Sequence, residues 1–260
     1  MIADQNIFHF DLSPAELRWL SGALGILQLP LFDDSFFGSS LSAQQIMIRE
    51  AQDSLQQRNL IRRVPKQGWQ VDRTPAMIAQ WLGSAASMLS IDIHTPSAST
   101  RHARVFVENE TSMHVTVEKD RYHFSLAPSR VTMVDYILEQ LGVSLLDMET
   151  AGEEYRLPQP ITVLRSMWTD ATLAAKMLRV ARMASMDIRS LLAWGASLNW
   201  IVAFHPIQLS VEGSSSQTQA ILCGSMRRCW SGYIDVRSDH VVTLSPIEME
   251  AIRSLILNVL

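Results

Sequence analysis

The sequence predicts an α+β fold of two pseudosymmetric halves produced by an internal duplication, each half placing its helices before an antiparallel β meander. Three observations predict it. Helix-start signals cluster ahead of runs with the two-residue alternation of half-buried strands, and this order occurs twice along 260 residues. A short string recurs: His9-Phe10-Asp11-Leu12-Ser13-Pro14 matches His123-Phe124-Ser125-Leu126-Ala127-Pro128, and Val242-Thr243-Leu244-Ser245-Pro246 echoes it. Trp81-Leu82-Gly83 and Trp194-Gly195, then Ile93-His94 and Phe204-His205, keep the same order of landmarks. The halves are placed at 1–146 and 161–260, with a linker at 147–160 where Glu149, Glu153 and Glu154 precede two prolines.

The elements follow from local chemistry. Ser13-Pro14-Ala15-Glu16 is a capping box with Pro at the first helical position, and Leu17, Leu20 and Leu24 share a face up to a stop at Gly25. Ser42-Ala43-Gln44-Gln45 predicts a second helix to about Leu60, and Thr74-Pro75 opens a third that ends near Met88. Strands are predicted at Leu89 to His94, Ala103 to Glu108, Ser112 to Glu118 and Arg121 to Leu126, the last two joined by a tight turn at Lys119-Asp120. Helices across Thr162 to Ala184 and Ile188 to Ala196 open the second half. Strands then fall at Asn199 to Phe204, Ile207 to Glu212, Gln219 to Met226, Cys229 to Val236 and His240 to Leu244. Ser245-Pro246-Ile247-Glu248 predicts a capped final helix with Ile252, Leu255, Ile256 and Val259 inward.

Composition narrows the function. Hydrophobic residues make up 47% of the chain and charged ones 18%, which implies extensive burial or a sizeable interface, and the 13 Met read chiefly as adaptable core filler. A net charge of −4 gives no overall attraction to phosphate or anionic lipid. Cys223 and Cys229 form neither a disulfide framework nor a zinc spacing and read as thiols of a reducing, cytoplasmic compartment. No secretory leader pattern or membrane-length apolar run is read. The seven His lack metal-ligand spacing, even though His114, His123 and His102 could approach one another. Nucleophile-elbow, Walker and dinucleotide motifs do not occur, so neither enzyme activity nor a cofactor is expected.

Two surfaces remain. Phe36 and Phe37 form an aromatic pair inside polar loop sequence, the pattern of a protein-binding anchor, and the loops Thr95 to Thr100 and Gly213 to Gln219 read as hairpin tips. Arg58, Arg62, Arg63, Lys66 and Arg73 flank a Gln-rich helix at 42–60. With Trp69-Gln70-Val71 they suggest the alternative of a winged-helix-like DNA-binding regulator that uses the basic segment 58–73.

Leu24-Gly25-Ile26-Leu27-Gln28-Leu29-Pro30, then Glu50-Ala51-Gln52-Asp53-Ser54-Leu55-Gln56-Gln57-Arg58-Asn59-Leu60-Ile61, Val71-Asp72 and the closing Val242 to Pro246 resemble the EspG proteins of type VII (ESX) secretion. At Asn59 the family pattern has Gly. The resemblance implies a cytosolic, non-enzymatic chaperone with two pseudosymmetric α+β halves that binds another protein, a PE–PPE secretion substrate pair in that family.

Overall fold

The structure is a computed structural model that describes residues 7–26, 29–30, 40–118, 120–141, 152–210, 213–216, 219–225, 228–234 and 242–260. In chain order the elements are β1 (Phe8–Leu12), α1 (Pro14–Ala23), α2 (Leu41–Gln57), β2 (Ile61–Val64), β3 (Gly68–Val71), α3 (Arg73–Ser84), β4 (Ser87–Thr95), β5 (Ala98–Glu108), β6 (Thr111–Glu118), β7 (Arg121–Ala127) and α4 (Arg130–Gln140). There follow β8 (Tyr155–Leu157), α5 (Pro160–Thr169), α6 (Ala171–Val180), α7 (Ser185–Ala196), β9 (Trp200–Ser210), β10 (Gly213–Ser216), β11 (Gln219–Gly224), β12 (Cys229–Ile234), β13 (Val242–Pro246) and α8 (Met249–Val259). The class is α+β. No helix among the described residues is long and apolar enough to cross a membrane.

Contacts divide the chain into two compact units, one of residues 7–86 with 113–126 and one of 87–112 with 127–260. In the smaller unit α1 packs on α2 and α3, burying Leu17, Leu20, Leu55, Ile78 and Leu82. Strand β1 pairs antiparallel with β7, Phe10 opposite Phe124 and Asp11 opposite His123. The hairpin β2–β3 pairs Ile61 with Val71 and Arg63 with Trp69.

The larger unit carries a sheet in the order β5-β4-β9-β11-β12-β13-β8, with β10 paired to β9. Both faces are covered. Trp200, Val202, Phe204, Ala220 and Leu222 point into one core with Met133 and Ile137 of α4 and Ile252, Leu255 and Ile256 of α8. Their neighbours Ile201, Ile221 and Cys223 point into another with Leu164, Leu178, Leu191 and Trp194 of α5, α6 and α7. Burial on both sides explains why Trp200 to Phe204 is an unbroken apolar run instead of an alternation. Strand β9 also continues through Pro206, where the sequence predicts a break between two strands. Pro206 stands where the neighbour on one side changes from β11, last paired at Phe204, to β10, first paired at Ile207, so the missing N–H interrupts neither ladder.

Several boundaries differ from expectation for identifiable reasons. Ser40, not Ser42, caps α2 by accepting from the Ala43 amide. The expected helix across Thr162 to Ala184 breaks at Asp170, whose carboxylate accepts from the Thr172 and Leu173 amides and so starts α6 afresh. The stretch read as a polar linker contains β8, whose Leu157 is fully buried opposite Val242. Thr95 to Thr100 forms the hairpin end between β4 and β5, as expected, whereas Gly213 to Ser216 is the strand β10, paired with β9.

The elements also run in a repeated order, a strand, three helices, a meander and a closing helix, apart from the hairpin β2–β3 set between α2 and α3 in the first run; in each the opening strand pairs with the strand before the closing helix, β1 to β7 and β8 to β13. In that order Trp81 and Trp194 stand on the matching helices α3 and α7, and His94 and His205 on β4 and β9. The string at His9 does not match its echo at His123 in the same way. The former opens the first run and the latter ends it, and the two lie side by side as paired strands.

Helix ends show which signals were structural. At the start of α1 the Ser13 hydroxyl accepts from the Glu16 amide at 3.1 Å, and Glu16 Oε2 accepts from the Ser13 amide at 2.7 Å. Gly25 at φ +70 ends α1, with the Ile26 amide donating back to the Ser21 carbonyl. Asn59 at φ +58 ends α2 likewise, the Leu60 amide reaching the Leu55 carbonyl; Asn, like Gly, tolerates that left-handed position. The second Ser-Pro-x-Glu string forms no cap. Ser245 and Pro246 are paired in β13 with Ser231 and Trp230, and the Ser245 hydroxyl donates to Glu154 instead. Helix α8 begins after Glu248 with no side-chain cap. Ser13→Ala is therefore expected to lower stability by ~1 kcal/mol, and Ser245→Ala by about 0.5 kcal/mol or less, read as shifts in urea midpoint.

Candidate protein-binding surface and charged clusters

Glu16 organises the smaller unit. Its capping role fixes it on the inner face of α1, where it is 1% exposed, and Ser54 and Arg58, four residues apart at the end of α2, are presented to it. Ser54 donates to Oε1 at 2.7 Å, and Arg58 Nη1 donates to Oε1 at 3.0 Å and Oε2 at 3.2 Å. Arg121 on β7 reaches Oε2 at 3.4 Å. Burial on its own would raise the carboxyl's pKa, but the Ser13 amide, the Ser54 hydroxyl and Arg58 together outweigh it and hold Glu16 below the usual carboxylate value. Arg58 also donates to the Asp11 carbonyl at 2.8 Å and lies 5.6 Å from the centre of the Phe10 ring.

Arg58 is therefore a structural tie between α1, α2 and β1. Of the other basic residues singled out, Arg62 donates across the hairpin to Gln70 at 2.8 Å. Arg63 and Lys66 line a shallow recess at the hairpin turn with Val64, Pro65 and Gly68. The wing expected from the sequence exists as β2–β3, and Trp69 packs edge-on against Trp19 of α1 at 5.6 Å. Phe36 and Phe37 lie outside the described residues.

A second polar cluster, which the sequence reading missed, joins three neighbouring strands of the larger unit. Asp92 on β4 receives His102 Nδ1 of β5 at 2.7 Å on Oδ1, and His205 Nε2 of β9 stands 3.4 Å from Oδ2. The sequence carried a signal for it: Asp92 and His94 are two apart on one strand, hence on one face, and the register sets Asp92 opposite His102. His205 first, working against burial, and then His102 hold the Asp92 carboxyl down to about 2. His94, buried on the same face with Thr100 Oγ1 2.8 Å from its Nδ1, has its pKa lowered by burial first and then by the positive field of Arg165 on α5. No group of three or more His, Cys, Asp or Glu among the described residues converges as metal ligands would. His123 instead reaches Asp11 at 2.6 Å, and His114 is buried in β6.

Burial pushes the pKa of His114 from 6.5 down to about 4. A histidine held neutral by the fold contributes stability that is complete above its unfolded pKa and is lost as pH falls toward the folded one. Stability is expected to fall between pH 6.5 and about 4, and His114→Gln should flatten that slope in urea midpoints measured across the range.

No protein-family model matches the sequence, and no curated protein matches it. Among solved structures the chain is similar to the Mycobacterium tuberculosis type VII secretion system chaperone EspG5, solved in complex with a PE25–PPE41 dimer. The TM-score is 0.63 at 8% identity, over 97% of this chain and 95% of that one. The likeness is one of fold.

Proposed function

We propose that this chain is a cytosolic, non-enzymatic chaperone or adaptor that binds another protein, and that its client is a secretion substrate pair of the PE–PPE kind. The observation that supports this reading most is the end-to-end agreement of fold with EspG5, whose structure holds such a dimer. A partial likeness would be compatible with many tasks, because folds are reused; agreement over 97% of this chain and 95% of the other supports a shared one. In the same reading the two runs of elements, β1 to α4 and β8 to α8, are copies of one duplicated unit, so that the second half reaches back into the stretch 147–160, and Phe36 and Phe37 are the apolar anchors of the interface.

The test is co-expression with PE–PPE pairs from the same genome, followed by size-exclusion chromatography. A soluble complex with fixed stoichiometry is expected. Phe36→Ser with Phe37→Ser should weaken it by about tenfold or more while leaving thermal stability unchanged, since a buried aromatic anchor contributes ~2 kcal/mol to an interface. If no pair is held, and a DNA duplex is retained in a salt-sensitive way that Arg62→Glu with Arg63→Glu abolishes, the chaperone reading is wrong and a wing-type regulator replaces it.

A further inference from the structure

Helix α6 carries two apolar stripes where its own fold uses one. Ala174, Ala175 and Leu178 face inward and are buried in the core beneath α5 and α7. At 100° per residue Leu173, Met177 and Val180 fall on the opposite side of the helix. Met177 is half-buried and packs in part against that same inner core, whereas Leu173 is 46% exposed and Val180 79%, the most exposed of the large apolar side chains described. Isolated apolar side chains on a surface need no explanation, but Leu173 and Val180, two turns apart with the exposed part of Met177 between them, form a seam on a helix already anchored by its other side.

The charges beside that seam have one sign. Lys176 and Arg179 lie along its flank, Arg182 follows at the helix end with φ +61, and Arg189 stands on α7; all four are exposed. None of the four side chains makes an ion pair among the described residues, in contrast to Arg58, Arg121 and Arg253, each of which is matched to a carboxylate. The acidic residues on the same segment are Asp170, which is committed to capping α6, and Asp187 in the first turn of α7. The chain as a whole is acidic, so this cationic rim is a local feature.

We propose that the outward face of α6 is a docking surface for an amphipathic helix of a partner protein, with an apolar seam that meets Leu173, Met177 and Val180 and acidic flanks that meet Lys176, Arg179 and Arg182. An apolar seam two turns long matches helix-on-helix packing, and unmatched cations select a partner of opposite charge. Nucleic acid has no use for the exposed Leu and Val. An anionic membrane is a poorer match, because a surface-lying helix would bring Trp or Phe to the interface and α6 has neither. The inference rests on the protein-binding reading above and adds the partner's chemistry.

The test titrates the full chain against a labelled synthetic helix with Leu along one seam and Glu on both flanks. Its Glu-to-Lys counterpart, vesicles of mixed phosphatidylcholine and phosphatidylserine, and a DNA duplex serve as parallel probes. The acidic helix is expected to bind, and the basic one not. Val180→Asp and the pair Lys176→Glu with Arg179→Glu should each weaken binding about tenfold or more with unchanged thermal midpoints. Equal binding by the variants, no binding of the acidic helix, or retention on vesicles or duplex through these same residues would each overturn the proposal. The chaperone reading is scored separately by co-purification of a PE–PPE pair. A pair held equally by wild type and α6 variants would sink the α6 surface alone, whereas a pair never held would sink the client assignment and leave the titration to decide this one.

Discussion

Phe204→Ala is expected to cost ~4 kcal/mol, a large part of the ~5–15 kcal/mol that a protein of this kind has to lose. Phe204 is fully buried in the middle of β9, between Ile91 of β4 and Ala220 of β11, and its ring fills the core against α4 and α8. Removing it takes apolar surface from the core and leaves a cavity that the paired backbones on either side cannot close. Urea denaturation should show the midpoint drop with little change in slope, as for a native state that is weakened but still cooperative. A loss below about 1 kcal/mol would mean that β9 is not the centre of a tight core. Phe204→Leu, which keeps most of the volume, should recover more than half of the loss.

Glu16→Ala is expected to cost ~3 kcal/mol, by a different route. The substitution removes the reciprocal half of the α1 cap, the acceptor for Ser54 and the counter-charge to Arg58 at once. Arg58 is a third exposed and Arg121 more so, which lets water solvate the freed cations and keeps the cost below that of a fully buried pair. Glu16→Gln should cost less, because the amide oxygen can still accept from the Ser13 amide while its NH2 donates to a Ser54 hydroxyl turned to accept. The pH dependence separates charge from shape. A carboxylate with its folded pKa depressed contributes stability that is present above the unfolded value of 4.5 and is lost as pH falls through the folded value, so the Gln variant should show a shallower acid limb than wild type below pH 4.5, the part due to Asp92 remaining. If wild type and Glu16→Gln trace parallel acid limbs, the carboxylate is not the linked group.

These two residues mark what was legible in the sequence. Ser13 and Glu16 sit three apart in a capping box, a local pattern whose meaning does not depend on the rest of the chain, and the cap forms as expected. The same four-residue pattern at Ser245 to Glu248 fails because β12 takes Ser245 and Pro246 into the sheet. Whether a string pairs or caps is decided by what lies beside it, which a linear reading does not contain. Tyr155 to Leu157 shows the same blindness in reverse. Three residues among glutamates and prolines give no period, yet β13 offers an edge, Leu157 is buried against it and Tyr155 stacks at 4.0 Å on Trp194. Counted along the chain the Arg58 charge is free; its partners Asp11 and Glu16 come from other elements. The strand alternation from Leu89 to Leu126 survived because half-buried strands write their own period.

The two cysteines, six residues apart, end on opposite faces of the larger unit's sheet: Cys223 points into the core under α5 to α7, and Cys229 into the core under α4 and α8. The backbone of a paired hairpin stands between them, so oxidation cannot join them in the folded chain. Burial raises the Cys223 thiol well above its usual pKa and Cys229 to about 12, so neither reacts as a thiolate until its own layer opens. Each thiol is thus a clock for one face. Timed alkylation followed by peptide mass analysis would read the opening of the two helical layers separately, from the wild-type molecule and without an added probe.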